Sequence, residues 1–161
     1  MNLKRFLIFL LSLSALLSLC GCQSYADDLD ADDLAEAGLR ALSDQIEYLE
    51  AEDNFLDDYF VTPSYVTDFD VYLAPTASNI NQVGVYHVRD GHAEEMEAIL
   101  RDYLDRSYAE NGSWYDSYIP RETPKLRDAE VRVFGNYVVY AILNENDRVT
   151  FFDTVESLLT Q

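Results

Sequence analysis

The chain has 161 residues, 48% of them hydrophobic, two cysteines and a net charge of −19 from 30 acidic against 11 basic side chains. That length suits one domain with a single core and an appended segment. So acidic a chain lacks the basic footprint that duplex or single-stranded nucleic acid requires, which excludes those partners and leaves a basic peptide, a basic protein or weakly bound divalent cations.

The first element is a signal segment over residues 1–21. Lys4 and Arg5 supply a positive start, Phe6 to Leu19 an uncharged apolar run, and Leu19-Cys20-Gly21-Cys22 closes it. A run of about 14 apolar residues falls short of the ~20 that a membrane-spanning helix needs. The order Leu, variable, Gly, Cys resembles the bacterial lipobox, which implies diacylglycerol (palmitate-type acyl chains) on the Cys22 thiol and cleavage on its N-terminal side. Cys20 is the poorer acceptor because bulky Leu19 precedes it. The expectation is a lipoprotein held on the extracellular face of the cell membrane through lipid on Cys22. With Cys20 removed and Cys22 acylated, no thiol remains for a disulfide, a metal site or a nucleophile. Losing Lys4 and Arg5 also leaves nine basic against thirty acidic residues, a net −21.

Residues 22–33 read as an acidic tether that holds the domain off the membrane, and residues 34–161 as a single domain. Between Gln23 and Phe60 stand thirteen acidic residues and one basic one, Arg40. Leu34, Ala37, Ala41, Ile46 and Leu49 recur near helical spacing and predict a helix from about Asp33. A second short helix is expected over Asp53–Phe60, ended by Thr62-Pro63-Ser64. Period-two alternation predicts strands over Asp68–Ala74 and Gln82–Arg89, joined by Pro75-Thr76-Ala77-Ser78-Asn79. Asp90-Gly91 turns the chain into a helix over His92–Tyr108, and a loop follows from Asn111 to Pro124. Ala129–Phe134 and Tyr137–Leu143 form a hairpin about Gly135-Asn136, a pair able to adopt positive φ. Asn146 or Asp147 is expected to cap a last helix with Val149, Phe152, Val155 and Leu159 facing inward. The order predicts an α+β fold: a two-layer, four-stranded antiparallel sheet in ββαββα order, helices mainly on one face, preceded by N-terminal helices.

Asn81 to Asp90, together with Tyr118-Ile119-Pro120, Leu126, Asp128-Ala129 and Gly135-Asn136-Tyr137-Val138, resembles in order and spacing a family of lipoproteins common in Gram-positive bacteria, domain of unknown function 4358 (DUF4358). The resemblance covers about Leu34 to Leu159. Gln82 stands where that family often has an acidic residue, and His87 where it often has Lys. The family name implies no activity.

The residues themselves name few chemistries. Only His87 and His92 are available as bases, and no Gly-X-Ser-X-Gly elbow or glycine-rich phosphate loop occurs, so neither a catalytic triad nor a cofactor is predicted. Asp28-Leu29-Asp30-Ala31-Asp32 starts like a calcium loop, but Asp33 replaces its glycine and Leu39 its bidentate Glu; no metal site is assigned. Trp114-Tyr115-Asp116-Ser117-Tyr118 offers aromatics that stack on sugar or peptide, while Tyr118 and Pro120 are expected to lock the loop to the core. The candidate binding residues are Trp114, Tyr115 and His87, the last at a strand-end rim. The expected function is a non-catalytic binding or accessory module at the cell surface, partnered by an envelope protein or extracellular ligand. The alternative is a carboxylate-dependent hydrolase acting on cell-wall or peptide material, and a bare spacer is the third reading.

Overall fold

The computed structural model describes residues 24–160. Within them lie four helices, α1 (Ala31–Arg40), α2 (Ala93–Tyr118), α3 (Thr123–Arg127) and α4 (Glu145–Leu159). Five strands accompany them: β1 (Leu49–Glu50), β2 (Val66–Leu73), β3 (Gln82–Val88), β4 (Glu130–Phe134) and β5 (Tyr137–Ile142). The strands form one antiparallel sheet in the order β1-β2-β3-β5-β4. The fold is α+β, as expected, with a fifth strand. The segment of the predicted signal peptide and Cys22 lie outside the described residues.

Helices cover both faces of the sheet, which corrects the two-layer arrangement. On one face α1 and α4 bury Leu34, Ala35, Phe151, Phe152, Val155 and Leu159 against Val83, Val85, Tyr137, Val139 and Ala141. On the other, α2 and α3 bury Met96, Leu100, Tyr103, Leu104 and Leu126 against Tyr86, Val88, Val138, Tyr140 and Ile142. The reason is visible in β5, where all six residues are buried. A central strand with apolar side chains on both sides needs cover on both sides. The described chain has no cysteine, so packing holds the fold; each large aromatic such as Phe151 or Phe152 is worth about 3–5 kcal/mol against Ala.

Several predicted elements change. The helix predicted from Asp33 starts at Ala31 and stops at Arg40, and Leu49 goes into β1, paired with Leu73. No helix forms over Asp53–Phe60, a run of turns in which Leu56 reaches the core. The last helix is capped by Asn144 rather than by Asn146 or Asp147: its side-chain oxygen accepts from Asp147 N–H at 3.0 Å, and its amide donates back to the Asp147 carboxylate at 2.6 Å. That reciprocal pair satisfies an orphan helix donor. The Asp147 carboxyl is pushed up by burial, yet Ser43 and Asn144 hydrogen bonds outweigh this and hold it below the usual carboxylate range.

The expected acidic tether packs on the domain. Tyr25 meets Phe134 edge to face at 5.8 Å, Ala26 N–H donates to the Leu159 carbonyl at 2.7 Å, and Leu29 both donates to and accepts from the Tyr137 hydroxyl. Ala31 N–H is capped by Asp68 Oδ2 at 2.8 Å. Aromatic and apolar residues at Tyr25, Ala26 and Leu29, spaced among the acids, supply the contacts that a solvated spacer lacks.

Candidate functional site

The site is built at the end of α2. That helix runs to Tyr118, ten residues beyond its predicted end, so Trp114-Tyr115 stands on a helix and not in a loop. Polar residues in the extension bond back along it: Asn111 Nδ2 donates to the Ser107 carbonyl at 3.0 Å and Ser117 Oγ to the Ser113 carbonyl at 2.9 Å. The helix stops where Ile119 precedes Pro120, because the proline ring disfavours helical geometry in the residue before it.

Helical spacing then sorts the aromatics. Tyr115 turns inward to pack on the core. Trp114 and Tyr118, four residues apart, share the outer face with ring centroids 5.0 Å apart and planes 31° from parallel. They are 52% and 70% exposed, so Tyr118 does not lock to the core as expected. Trp114 and Tyr115 wall an open groove of about 410 Å³ whose far side is the β2–β3 connection from Leu73 to Gln82. Its lining includes Pro75, Thr76, Asn79 and Ile80 and no Asp, Glu, Lys, Arg or His. A neutral groove is a specific feature in a chain this acidic.

The groove's far wall is braced from below. Buried Asn81 donates to Asp44 Oδ2 at 2.8 Å and to the Tyr48 hydroxyl at 2.9 Å, and accepts from Lys125 Nζ at 2.7 Å. Glu122 accepts from Ile80 N–H at 3.1 Å and from Lys125 at 2.7 Å. Under the groove Gln82 donates to Tyr103 and Tyr140, whose phenols burial drives well above their ordinary pKa, keeping them neutral. Gln82 is thus a buried brace. Sequence reasoning missed the Asn81–Lys125 brace, because its partners come from segments 44 residues apart.

His87 does not join this site. It lies at the other end of β3, about 17 Å along the strand from Gln82. Its ring stacks on Tyr137 at 4.4 Å and its Nε2 lies 2.9 Å from Asp27 Oδ1. That contact, with help from Asn136, holds the Asp27 carboxyl below the ordinary range despite partial desolvation. His87 clasps the N-terminal strap. His92 occupies the N-cap position of α2, stacked on Tyr65.

A second cluster is acidic. Asp68 and Asp70 project from β2 beside Asp32, Glu50 and Asp53, and burial followed by repulsion from those neighbours raises the Asp70 carboxyl to about 6. Among the described residues no group of His, Cys, Asp and Glu has the geometry to hold a metal ion. Among them, too, no helix is long and apolar enough to cross a membrane.

The family model described as Domain of unknown function (DUF4358) matches residues 41–143. No curated protein and no solved structure shows significant similarity to the chain.

Proposed function

The chain belongs to the DUF4358 family, whose description assigns no activity, and from that premise we propose that it is a lipid-anchored surface lipoprotein whose Trp114 groove binds an uncharged, ring-bearing extracellular ligand, the chemistry of a glycan. The observation that carries this reading is the exposed Trp114–Tyr118 pair beside a groove lined by no carboxylate and no basic side chain. Exposed aromatics side by side bind the apolar face of a ring while nearby amides and hydroxyls fix its orientation. Thr76, Ser78 and Asn79 stand in or next to the groove for that purpose.

The lining supports binding over hydrolysis. Carboxylate chemistry on a glycosidic bond needs two acids at a set separation across a cleft, and no acid lines this groove. Anchoring rests on Leu19, Gly21 and Cys22. Multiple acyl chains give lasting membrane attachment where one gives only marginal binding.

Two measurements test it. Intact mass of the membrane fraction is expected to show acylated Cys22 as the first residue, with Cys22→Ala unacylated; a lipid-free mature chain beginning at or after Gln23 overturns the anchor. Trp114 is the only tryptophan, so its emission reports the groove directly. Titration with N,N′,N″-triacetylchitotriose is expected to shift and saturate that emission, and an unchanged spectrum at millimolar sugar overturns the glycan assignment.

A further inference from the structure

The two ends of the sheet are chemically distinct, and the strap tells them apart. Tyr25, Ala26, Asp27 and Leu29 are tied to Phe134, Leu159, His87 and Tyr137, all at the end where the β4–β5 hairpin turns and α4 finishes. The groove lies at the opposite end, where β2 finishes, β3 begins and α2 terminates. Trp114 is 21 residues along α2 from Ala93, which is about 30 Å at the helical rise.

Covalent reach converts this into an orientation. Only Gln23 and Ser24 separate Cys22 from docked Tyr25. Three Cα steps span at most about 11 Å. We infer that the strap holds its own end of the domain, with Arg89, Asp90 and Asn136, against the bilayer and presents the Trp114–Tyr118 platform on the membrane-distal end, for a ligand of the wall rather than for lipid. This rests on lipidation of Cys22 as proposed above. Without the strap, a flexible acidic tether would let the domain tumble and bring the exposed aromatics to the interface, where Trp and Tyr are favoured.

The lone tryptophan makes the orientation measurable. Lipidated protein is reconstituted in phosphatidylcholine vesicles carrying a dansyl-headgroup lipid, and energy transfer from Trp114 is compared with that from the double variant Trp114→Phe/Arg89→Trp. Arg89 is exposed at the strap end; Trp114→Phe/Thr160→Trp serves as a second reporter should the first misfold. Transfer from the strap-end reporters is expected to be several-fold stronger than from Trp114. Equal transfer, or stronger transfer from Trp114, overturns the orientation. A flexible Gly-Ser insertion of about a dozen residues between Ser24 and Tyr25 is expected to shrink the difference; an undiminished difference overturns the strap as its cause. Failure to float with vesicles overturns the anchor reading, and this inference with it, before any transfer is read.

Discussion

Gly84 faces Tyr140 directly across the β3–β5 pair, and the Tyr140 ring occupies the space that a Cβ on residue 84 would need. The ring is fully buried, and its hydroxyl accepts from Gln82 under the groove. Gly84→Ala is therefore expected to displace an aromatic with nowhere to go, costing about 1–3 kcal/mol as overpacking. Urea unfolding followed by circular dichroism measures it. A midpoint equal to wild type would show that the ring yields freely.

Gly135 is the one hairpin residue that requires the left-handed region, with φ 62; its neighbour Asn136 does not share it. A Cβ there would also stand 3.1 Å from Tyr25 Cβ, inside the strap contact. Gly135→Val is expected to lower stability by about 1–3 kcal/mol, and Gly135→Asn by less, since Asn tolerates positive φ. The ordering of the two midpoints is the check: a Val variant as stable as the Asn variant contradicts it.

Asp70 gives a pH signature. Its carboxyl is raised to about 6 in the fold, by burial first and then by Asp32, Asp68, Glu50 and Asp53. A raised carboxyl means the folded state holds its proton more tightly than the unfolded one, where it titrates near 4. The contribution of Asp70 is thus favourable below about 4 and is lost as pH rises through about 6. Asp70→Asn is expected to melt above wild type at pH 7 and to lose that advantage by pH 4. Parallel melting curves for the two proteins across this window would refute the assignment.

Trp114 separates binding from folding. Being half exposed on a helix end, it contributes to stability far less than a buried tryptophan. Trp114→Ala is expected to lower the unfolding free energy from urea titration by less than about 1 kcal/mol while removing calorimetric binding of the chitotriose probe. A loss of about 3–5 kcal/mol, the cost of deleting a buried Trp, would place it in the core and withdraw its claim on a ligand.

The elements legible in the chain are those whose signal is local. The Gly135 turn, the alternation in β2 and β3 and most of the inward stripe of α4 each sit within a few residues of the features that cause them: Phe152, Val155 and Leu159 face inward as expected, while Val149 is 44% exposed and Phe151 is buried instead. The misses share a different origin. β1 is two residues long and exists only through its pairing with Leu73 and Tyr72. The continuation of α2 past Tyr108 uses Asn, Gly and Ser, poor helix formers that are carried by burial of Ser107 and Gly112. The strap reads as solvated because five acids fall within residues 22–33, although Tyr25, Ala26 and Leu29 among them pack on the core.

By itself, the sequence determined the α+β class, the four main strands and the family, because periodicity and motif order are properties of neighbouring residues, whereas the pairing of Trp114 with Tyr118 appears only because the helix runs on to Tyr118. Only the tertiary structure decided that both sheet faces are covered, that His87 clasps the strap while Trp114 borders a groove at the far end, and that the groove is free of charge in a chain of thirty acids. Those are relations between residues tens of positions apart, set by which faces find apolar cover, and no local window contains them.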